Sequence, residues 1–137
     1  EMCIRDRTGS DHVTPVRPET LAKSLAIGNP AAGPYSLEVL KETDGTGVYA
    51  EENTIIDGIK LLAETEGIFT ETAGGVVISS LKKLVKQGKI KRDEVTVAYV
   101  TGNGLKTMEA MGDFVEPIQT TPDYETFQTA LAAAQKF

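Results

Sequence analysis

The fold class this sequence predicts is α/β: a parallel sheet with crossover helices. Three observations carry it. Stretches with helical and with strand periodicity alternate along the chain, glycine or proline marks most of their junctions, and residues 94–100 are mainly apolar on both faces. A strand apolar on both faces suits a sheet covered on both sides.

The elements follow in order. Residues 1–20 are irregular, because Gly9, Ser10, Asp11, Pro15 and Pro18 break any period. Residues 21–29 end in the turn signal Gly28-Asn29-Pro30, and a second signal follows at Gly33-Pro34. Proline suits a first helical turn, where its missing N–H is not needed. Tyr35, Leu37, Val39 and Leu40 supply that helix's apolar positions, and Asp44-Gly45 closes it. A short strand at 47–49 leads to Ala50-Glu51-Glu52-Asn53, whose acidic residues favour a helix start. Ile55, Ile56, Ile59, Leu62 and Ala63 form one stripe of that helix, and Gly67 ends it. Residues 68–71 read as a strand. Thr72-Ala73-Gly74-Gly75 opens the next helix, with an apolar face of Ala73, Val76, Val77, Leu81, Leu84 and Val85 and a left-handed stop at Gly88. In the strand at 94–100, Val95, Val97 and Tyr99 point one way and Thr96, Ala98 and Val100 the other. A final helix is predicted from Thr121, with Pro122 at its first position, through the alanine-rich 130–134 to the end of the sequence.

Composition excludes several function classes. The 137 residues are 40% hydrophobic and 25% charged, as expected of a soluble globular domain. Fourteen basic against twenty acidic residues give a formal charge of −6, which argues against a nucleic-acid surface. The densest basic stretch, 82–92, reads as a solvated helix C-terminus and turn. No apolar run approaches the ~20 residues that span a bilayer. Residues 1–7 lack the apolar core of a secretory signal, so the cytoplasm is the expected location. The single cysteine, Cys3, and the single histidine, His12, supply neither a metal site nor a nucleophile system from this chain alone.

Ligands of open α/β sheets bind beyond the carboxyl ends of strands, and three loops qualify. In Thr101-Gly102-Asn103-Gly104, a hydroxyl stands at the end of the most buried-looking strand, beside two glycines that let a backbone approach a ligand. An ordinary turn with Asn103 left-handed explains the same pattern. In Glu71-Thr72-Ala73-Gly74-Gly75, free N–H groups at a helix start favour an anion, whereas Glu71 serving as the cap would satisfy them. Ala26-Ile27-Gly28-Asn29-Pro30 offers Asn29 as a polar contact or is simply a turn.

Taken together, three runs resemble threonine synthases. They are Pro18-Glu19-Thr20-Leu21-Ala22-Lys23-Ser24-Leu25-Ala26-Ile27-Gly28-Asn29-Pro30, Glu64-Thr65-Glu66-Gly67-Ile68-Phe69-Thr70-Glu71-Thr72-Ala73-Gly74-Gly75, and Val100-Thr101-Gly102-Asn103-Gly104-Leu105-Lys106. The similarity extends over about residues 9–111. It implies part of a fold-type II pyridoxal-phosphate enzyme, similar to the tryptophan synthase β chain. Residues 9–137 would be the C-terminal part of the large cofactor-binding domain with a C-terminal helical tail. Residues 1–7 are expected to match nothing in the family, and residues 1–8 would be non-native or disordered.

The resemblance further implies pyridoxal 5′-phosphate as cofactor. The implied reaction is the lyase-type conversion of O-phospho-L-homoserine and water to L-threonine and phosphate, in threonine biosynthesis. It places Thr101 at the cofactor's pyridine nitrogen, where a neutral hydroxyl modulates the electron sink without holding the ring protonated as a carboxylate would. Gly102, Asn103 and Gly104 would shape the ring's floor, Ala26, Ile27, Gly28 and Asn29 would line the other side, and Glu71 would lie near the ring. No metal is implied.

Two features depart from the wider fold-type II pattern. Thr72 stands where many relatives have proline, a variant associated with threonine synthases. The Schiff-base lysine, the phosphate-binding glycine loop and the asparagine facing the cofactor's O3′ belong to the N-terminal half, and neither Lys23 nor Lys106 matches that lysine's position. The chain alone is therefore expected to carry no catalytic residue, to be inactive, and to expose apolar surface where the missing half packs. A homodimer, and a plastid location in a plant or alga, are further expectations. The competing readings are another fold-type II enzyme, such as a serine/threonine dehydratase or cysteate synthase, and a non-catalytic domain of the same fold.

Overall fold

Short-range backbone chemistry sets the helix boundaries. In the computed structural model, which describes residues 13–114 and 117–134, the α-helices are α1 (Gly33–Glu42), α2 (Glu52–Glu66), α3 (Thr72–Lys86) and α4 (Tyr124–Ala134). Short 3-10 turns lie at Lys23–Leu25, Gly104–Ala110 and Gly112–Phe114. The expectations for residues 1–8, and for Cys3 and His12, lie outside the described residues.

α1 carries Pro34 in its first turn and ends as predicted. Asp44 takes the left-handed conformation (φ 50°), and the Gly45 N–H donates to the Leu40 carbonyl at 2.9 Å. α2 stops at left-handed Gly67 (φ 69°). At the end of α3, Gly88 is left-handed (φ 68°), with Gly88 N–H donating to Val85 and Lys89 N–H to Leu84, each at 3.0 Å. That pair of bonds is a Schellman motif, which satisfies carbonyls the helix leaves open.

The core is the α2–α3 hairpin. Ile55, Ile59 and Leu62 of α2 are buried against the side of α3 that carries Gly74, Gly75, Ile78 and Ser79. The helices cross at small residues: a Cβ on Gly58 would press on the Gly75 carbonyl oxygen and on Ser79 Oγ at 2.6 Å, and one on Gly75 would meet the Ile55 carbonyl oxygen at 2.5 Å. Ser79 Oγ donates to the Thr54 carbonyl across this crossing. The stripe predicted for α2 holds at Ile55, Ile59 and Leu62, while Ile56 and Ala63 are only half-buried. For α3 the packed side is the glycine side. Val76, Val77 and Leu81, in the predicted apolar face, are half-buried and Val85 is exposed.

Among the described residues no strand forms, so the predicted parallel sheet is not seen. The one isolated β-bridge, Thr70 with Asn103, is antiparallel. The reason is physical: a strand is defined by a ladder to a neighbour, and residues 47–49 and 94–100 have none among the described residues. Residues 96–99 lie along Val76, Val77, Ser80, Leu81 and Leu84 across a gap of about 400 Å³. Val95, Val97 and Tyr99 remain 96%, 72% and 80% exposed, against the expectation of a strand covered on both faces.

The last helix begins later than predicted. It starts at Tyr124 rather than Thr121, because Asp123 Oδ1 accepts the Thr126 N–H at 2.8 Å and so caps it. α4 buries none of its residues. No helix among the described residues is long and apolar enough to cross a membrane.

Candidate functional site

Two of the three predicted loops meet at the start of α3. Thr70 is fully buried, and its Oγ1 donates to the Gly102 carbonyl at 3.0 Å. The same carbonyl accepts the Glu71 N–H at 3.1 Å, and Gly104 N–H donates to the Phe69 carbonyl at 3.0 Å. The backbone of 69–71 is thereby stitched to that of 102–104.

Both glycines of the second loop are explained by these neighbours. A Cβ on Gly102 would fall into the carboxyl group of Glu71, with Glu71 Cγ at 2.6 Å. A Cβ on Gly104 would meet the edge of the Phe69 ring at 2.5–2.6 Å. Asn103 is extended (φ −81°, ψ 143°) rather than left-handed, and its Oδ1 accepts the Leu105 N–H at 2.9 Å. Asn103 therefore caps the turn that follows and is itself exposed.

Thr101 stands just before this stitched pair, exposed, and its hydroxyl makes no hydrogen bond among the described residues. A held backbone with an open hydroxyl suits a ligand that needs one neutral donor or acceptor.

Glu71 occupies the N-cap position of α3 (φ −70°, ψ 174°), but its side chain makes no capping hydrogen bond, contrary to the capping role its spacing suggests. The Thr72 N–H, at the first helical position, is accepted by Thr107 Oγ1 at 3.3 Å, from 35 residues further along the chain. Thr107 is the contact of this junction that sequence reasoning missed. Its one local mark is a non-helical conformation (φ −134°, ψ 41°) inside the Gly104–Ala110 turn, which a sequence does not display. The Thr72 hydroxyl beside it is buried with no partner among the described residues.

The first loop is not bonded to this junction, although the turn before it packs against α3. No hydrogen bond or ion pair among the described residues joins 26–28 to Glu71 or to 101–104. Gly28 is matched to Val16: its carbonyl accepts the Val16 N–H at 3.0 Å, and a Cβ there would strike the Val16 carbonyl oxygen. Ala26 is half-buried, Ile27 is exposed, and Ile27 and Gly28 line a cavity of about 480 Å³ with Val48, Ala50, Ile55 and Val76. Only Lys23, in the turn preceding this loop, reaches toward the third, with Nζ 3.9 Å from Glu109 Oε1. That pair is exposed and contributes little.

A smaller cavity of about 270 Å³ lies elsewhere, between α2 and α3, bordered by Glu51, Asp57, Lys82, Lys83 and Lys86. There Lys83 Nζ donates to Glu51 Oε1 at 2.9 Å and to the Tyr49 carbonyl at 3.0 Å. The hydrogen bond from Lys83 holds the Glu51 carboxyl below its ordinary range. Among the described residues no group of three or more His, Cys, Asp or Glu is placed to hold a metal ion.

The profile of the family described as "Pyridoxal-phosphate dependent enzyme" matches residues 2–102, well over half of the chain. The chain belongs to that family. Pyridoxal phosphate is accordingly its cofactor. Curated members similar to this chain include a threonine synthase of Bacillus sp. (strain ULM1), 40% identical over 65% of this chain and 25% of its own length. Another, from Methanocaldococcus jannaschii, is 38% identical over 83% of this chain and 28% of its own. A third, from Mycobacterium bovis, is 34% identical over 77% of this chain and 30% of its own. The chain thus spans between a quarter and a third of the length of these relatives.

The residues present fit the cofactor. Pyridoxal phosphate offers a ring nitrogen that takes one hydrogen bond, and Thr101 presents an unengaged neutral hydroxyl on a backbone fixed from behind. The carboxylate of Glu71 lies against Gly102 in the same junction.

Proposed function

We propose that this chain is part of a threonine synthase, and that its stitched junction is the wall meeting the nitrogen side of pyridoxal phosphate. The full protein would convert O-phospho-L-homoserine and water to L-threonine and phosphate. The observation that carries this reading is the exposed, unbonded hydroxyl of Thr101 beside a backbone fixed by Thr70, Glu71 and Phe69. The similarity to threonine synthases, at 34–40% identity, supports this reading.

Bound pyridoxal phosphate supplies an electron sink for the negative charge that develops next to the substrate's amino group. This chain's contribution would be positional. Thr101 would hydrogen-bond the ring nitrogen, and being neutral it would not keep that nitrogen protonated. Gly102, Asn103 and Gly104 would border the ring, with the Glu71 carboxylate nearby. Ala26, Ile27 and Gly28 would line the opposite side, once the rest of the protein completes the cleft.

In that whole protein, residues 47–49, 68–71 and 94–100 would be strands of a parallel sheet with α2 and α3 as crossovers. The exposed Val95, Val97 and Tyr99 support this, as apolar alternation without a neighbour. The Schiff-base lysine and the substrate-phosphate site would come from the N-terminal half, so the 137-residue chain alone would be inactive. A cytoplasmic homodimer completes the proposal.

The test is to express the full reading frame that contains this segment, supply phosphohomoserine and measure phosphate and threonine together. Stoichiometric release of both is expected. A folded, cofactor-loaded protein that makes neither, or that forms 2-oxobutanoate or pyruvate from threonine or serine instead, would overturn the substrate assignment.

A further inference from the structure

Glycine has more backbone freedom to lose on ordering than any other residue, and the loop 101–104 contains two of them. What attaches this loop to 69–71 is one isolated antiparallel bridge, Thr70 with Asn103, with no ladder around it among the described residues. Two backbone bonds make the bridge, from Glu71 N–H to the Gly102 carbonyl and from Gly104 N–H to the Phe69 carbonyl. A third bond comes from a side chain. Thr70 Oγ1 donates to the Gly102 carbonyl at 3.0 Å, so that this one carbonyl is held by two donors. Thr70 is fully buried, which keeps water from competing for the bond. Gly74, the third residue of α3, makes room for it: a Cβ there would fall on Thr70 Oγ1 and lie 2.7 Å from Thr70 Cγ2.

We propose that Thr70 is a positioning residue for the cofactor, and that Gly74 provides the space that lets it act. Being buried, Thr70 works through the loop and not on the cofactor itself. Its hydroxyl fixes the direction of the carbonyl one residue beyond Thr101. That removes one of the two rotations through which Gly102 could carry Thr101 out of line. The Thr101 hydroxyl is then already in place for the ring nitrogen, and binding need not order the loop first. Preorganisation of this kind raises affinity without adding a contact. Gly74, by the same reasoning, is small for a side chain of the protein and not for an anion at the helix start.

This inference rests on the reading of residues 101–104 as the cofactor-contacting loop, and its test separates the two. In the full-length holoenzyme, Thr70→Val keeps the shape of the side chain and removes the hydroxyl. Thr70→Ser keeps the hydroxyl and removes the methyl beside Gly74. Gly74→Ala pushes the hydroxyl aside from a position outside the loop. Thr101→Val removes the cofactor contact directly. The readouts are urea unfolding, the affinity for pyridoxal phosphate followed by its fluorescence, and the position of its visible absorption band across a pH series.

Thr70→Val is expected to weaken cofactor binding by about 2- to 10-fold, the range of one hydrogen bond, and to move the band's pH profile. Gly74→Ala should do the same. Thr70→Ser should unfold at lower urea, because a buried methyl is lost, yet keep the wild-type affinity and profile. Cofactor losses that simply track stability, or a Thr70→Val protein with wild-type affinity and profile, overturn the proposal and leave Thr70 an ordinary core residue. If neither Thr70→Val nor Gly74→Ala folds, Thr70→Ser decides: a displaced profile overturns the proposal, and a wild-type profile despite lower stability upholds it. A Thr101→Val protein with unchanged affinity and band overturns the cofactor-loop reading itself, whatever Thr70 does.

Discussion

Gly102 and Gly104 stand two residues apart in one loop, yet the structure predicts opposite consequences for the same change to alanine. At Gly104 the new Cβ would lie 2.5 Å from Cε1 and Cζ of Phe69, whereas ordinary contact begins at 3.4 Å. The ring edge would have to retreat by about 0.9 Å. The Phe69 backbone cannot draw back to relieve the contact, because its carbonyl is tied to the Gly104 N–H at 3.0 Å, so the bulky ring itself must be displaced. Overpacking of this kind costs about 1–3 kcal/mol. At Gly102 the obstacle is the far end of the Glu71 side chain, which can rotate aside. Alanine also restricts the unfolded chain there, which returns about 0.4–1 kcal/mol.

Gly104→Ala should therefore lower stability by about 1–3 kcal/mol, and Gly102→Ala should change it by less than about 1 kcal/mol. The cofactor readout should invert that order. Gly102→Ala displaces the Glu71 carboxylate beside Thr101 and should alter the absorption of bound pyridoxal phosphate more than Gly104→Ala does. Urea unfolding and a visible spectrum of the two full-length variants, measured side by side, decide the matter. Equal losses of stability, or a neutral Gly104→Ala, would refute the view that Phe69 is a fixed wall and Glu71 a movable one.

Other perturbations follow from the same geometry. Thr101→Val, which keeps the shape and removes the hydroxyl, should weaken pyridoxal phosphate by about 0.5–1.5 kcal/mol in a fluorescence titration and leave urea unfolding unchanged. Gly58→Ala should destabilise by about 1–3 kcal/mol in urea although alanine is the better helix former, because its Cβ would press on backbone at the Gly75 carbonyl. Hydrogen bonds from Thr121 and from Thr126 hold the Asp123 carboxyl well below its ordinary 3.8, at about 2. Its folded-state pKa is thus the depressed one, so its contribution to α4 is present above about pH 4 and is lost as pH falls toward 2. An acid titration of helical circular dichroism should show a transition in that window that Asp123→Ala abolishes.

What could be read from the sequence was what neighbouring residues decide among themselves. The ends of α1, α2 and α3 at Asp44-Gly45, Gly67 and Gly88 were legible because a left-handed residue and two or three local hydrogen bonds suffice to stop a helix. The start of α4 was legible in principle. Asp123, three residues before Thr126, is a stronger cap than Thr121, and Pro122 drew attention to the wrong position. The sheet was not legible as a fact about this stretch of chain. The alternation in 94–100 reports a preference for covered faces, and only a neighbouring strand can turn that preference into a ladder.

The site divides along the same line. Its loops were visible as glycine-rich turns, and the resemblance to a family gave them a cofactor. The reasons for the glycines were not visible, because each depends on a residue distant in sequence or on the opposite helix. Gly75 is small for Ile55, Gly102 for Glu71, and Gly104 for Phe69. Close approach to a ligand was the expectation for Gly102 and Gly104, yet protein atoms already account for both missing Cβ positions. Among the described residues the Thr101 hydroxyl of this loop is left without a hydrogen bond, whereas the Asn103 side chain is used within the turn. Thr107 follows the same logic in reverse: it resembles any other polar residue of a turn until its hydroxyl is found at the start of a helix 35 residues earlier. That bond joins the start of α3 to the stretch following Thr101, while the glutamate at the cap position lies against Gly102.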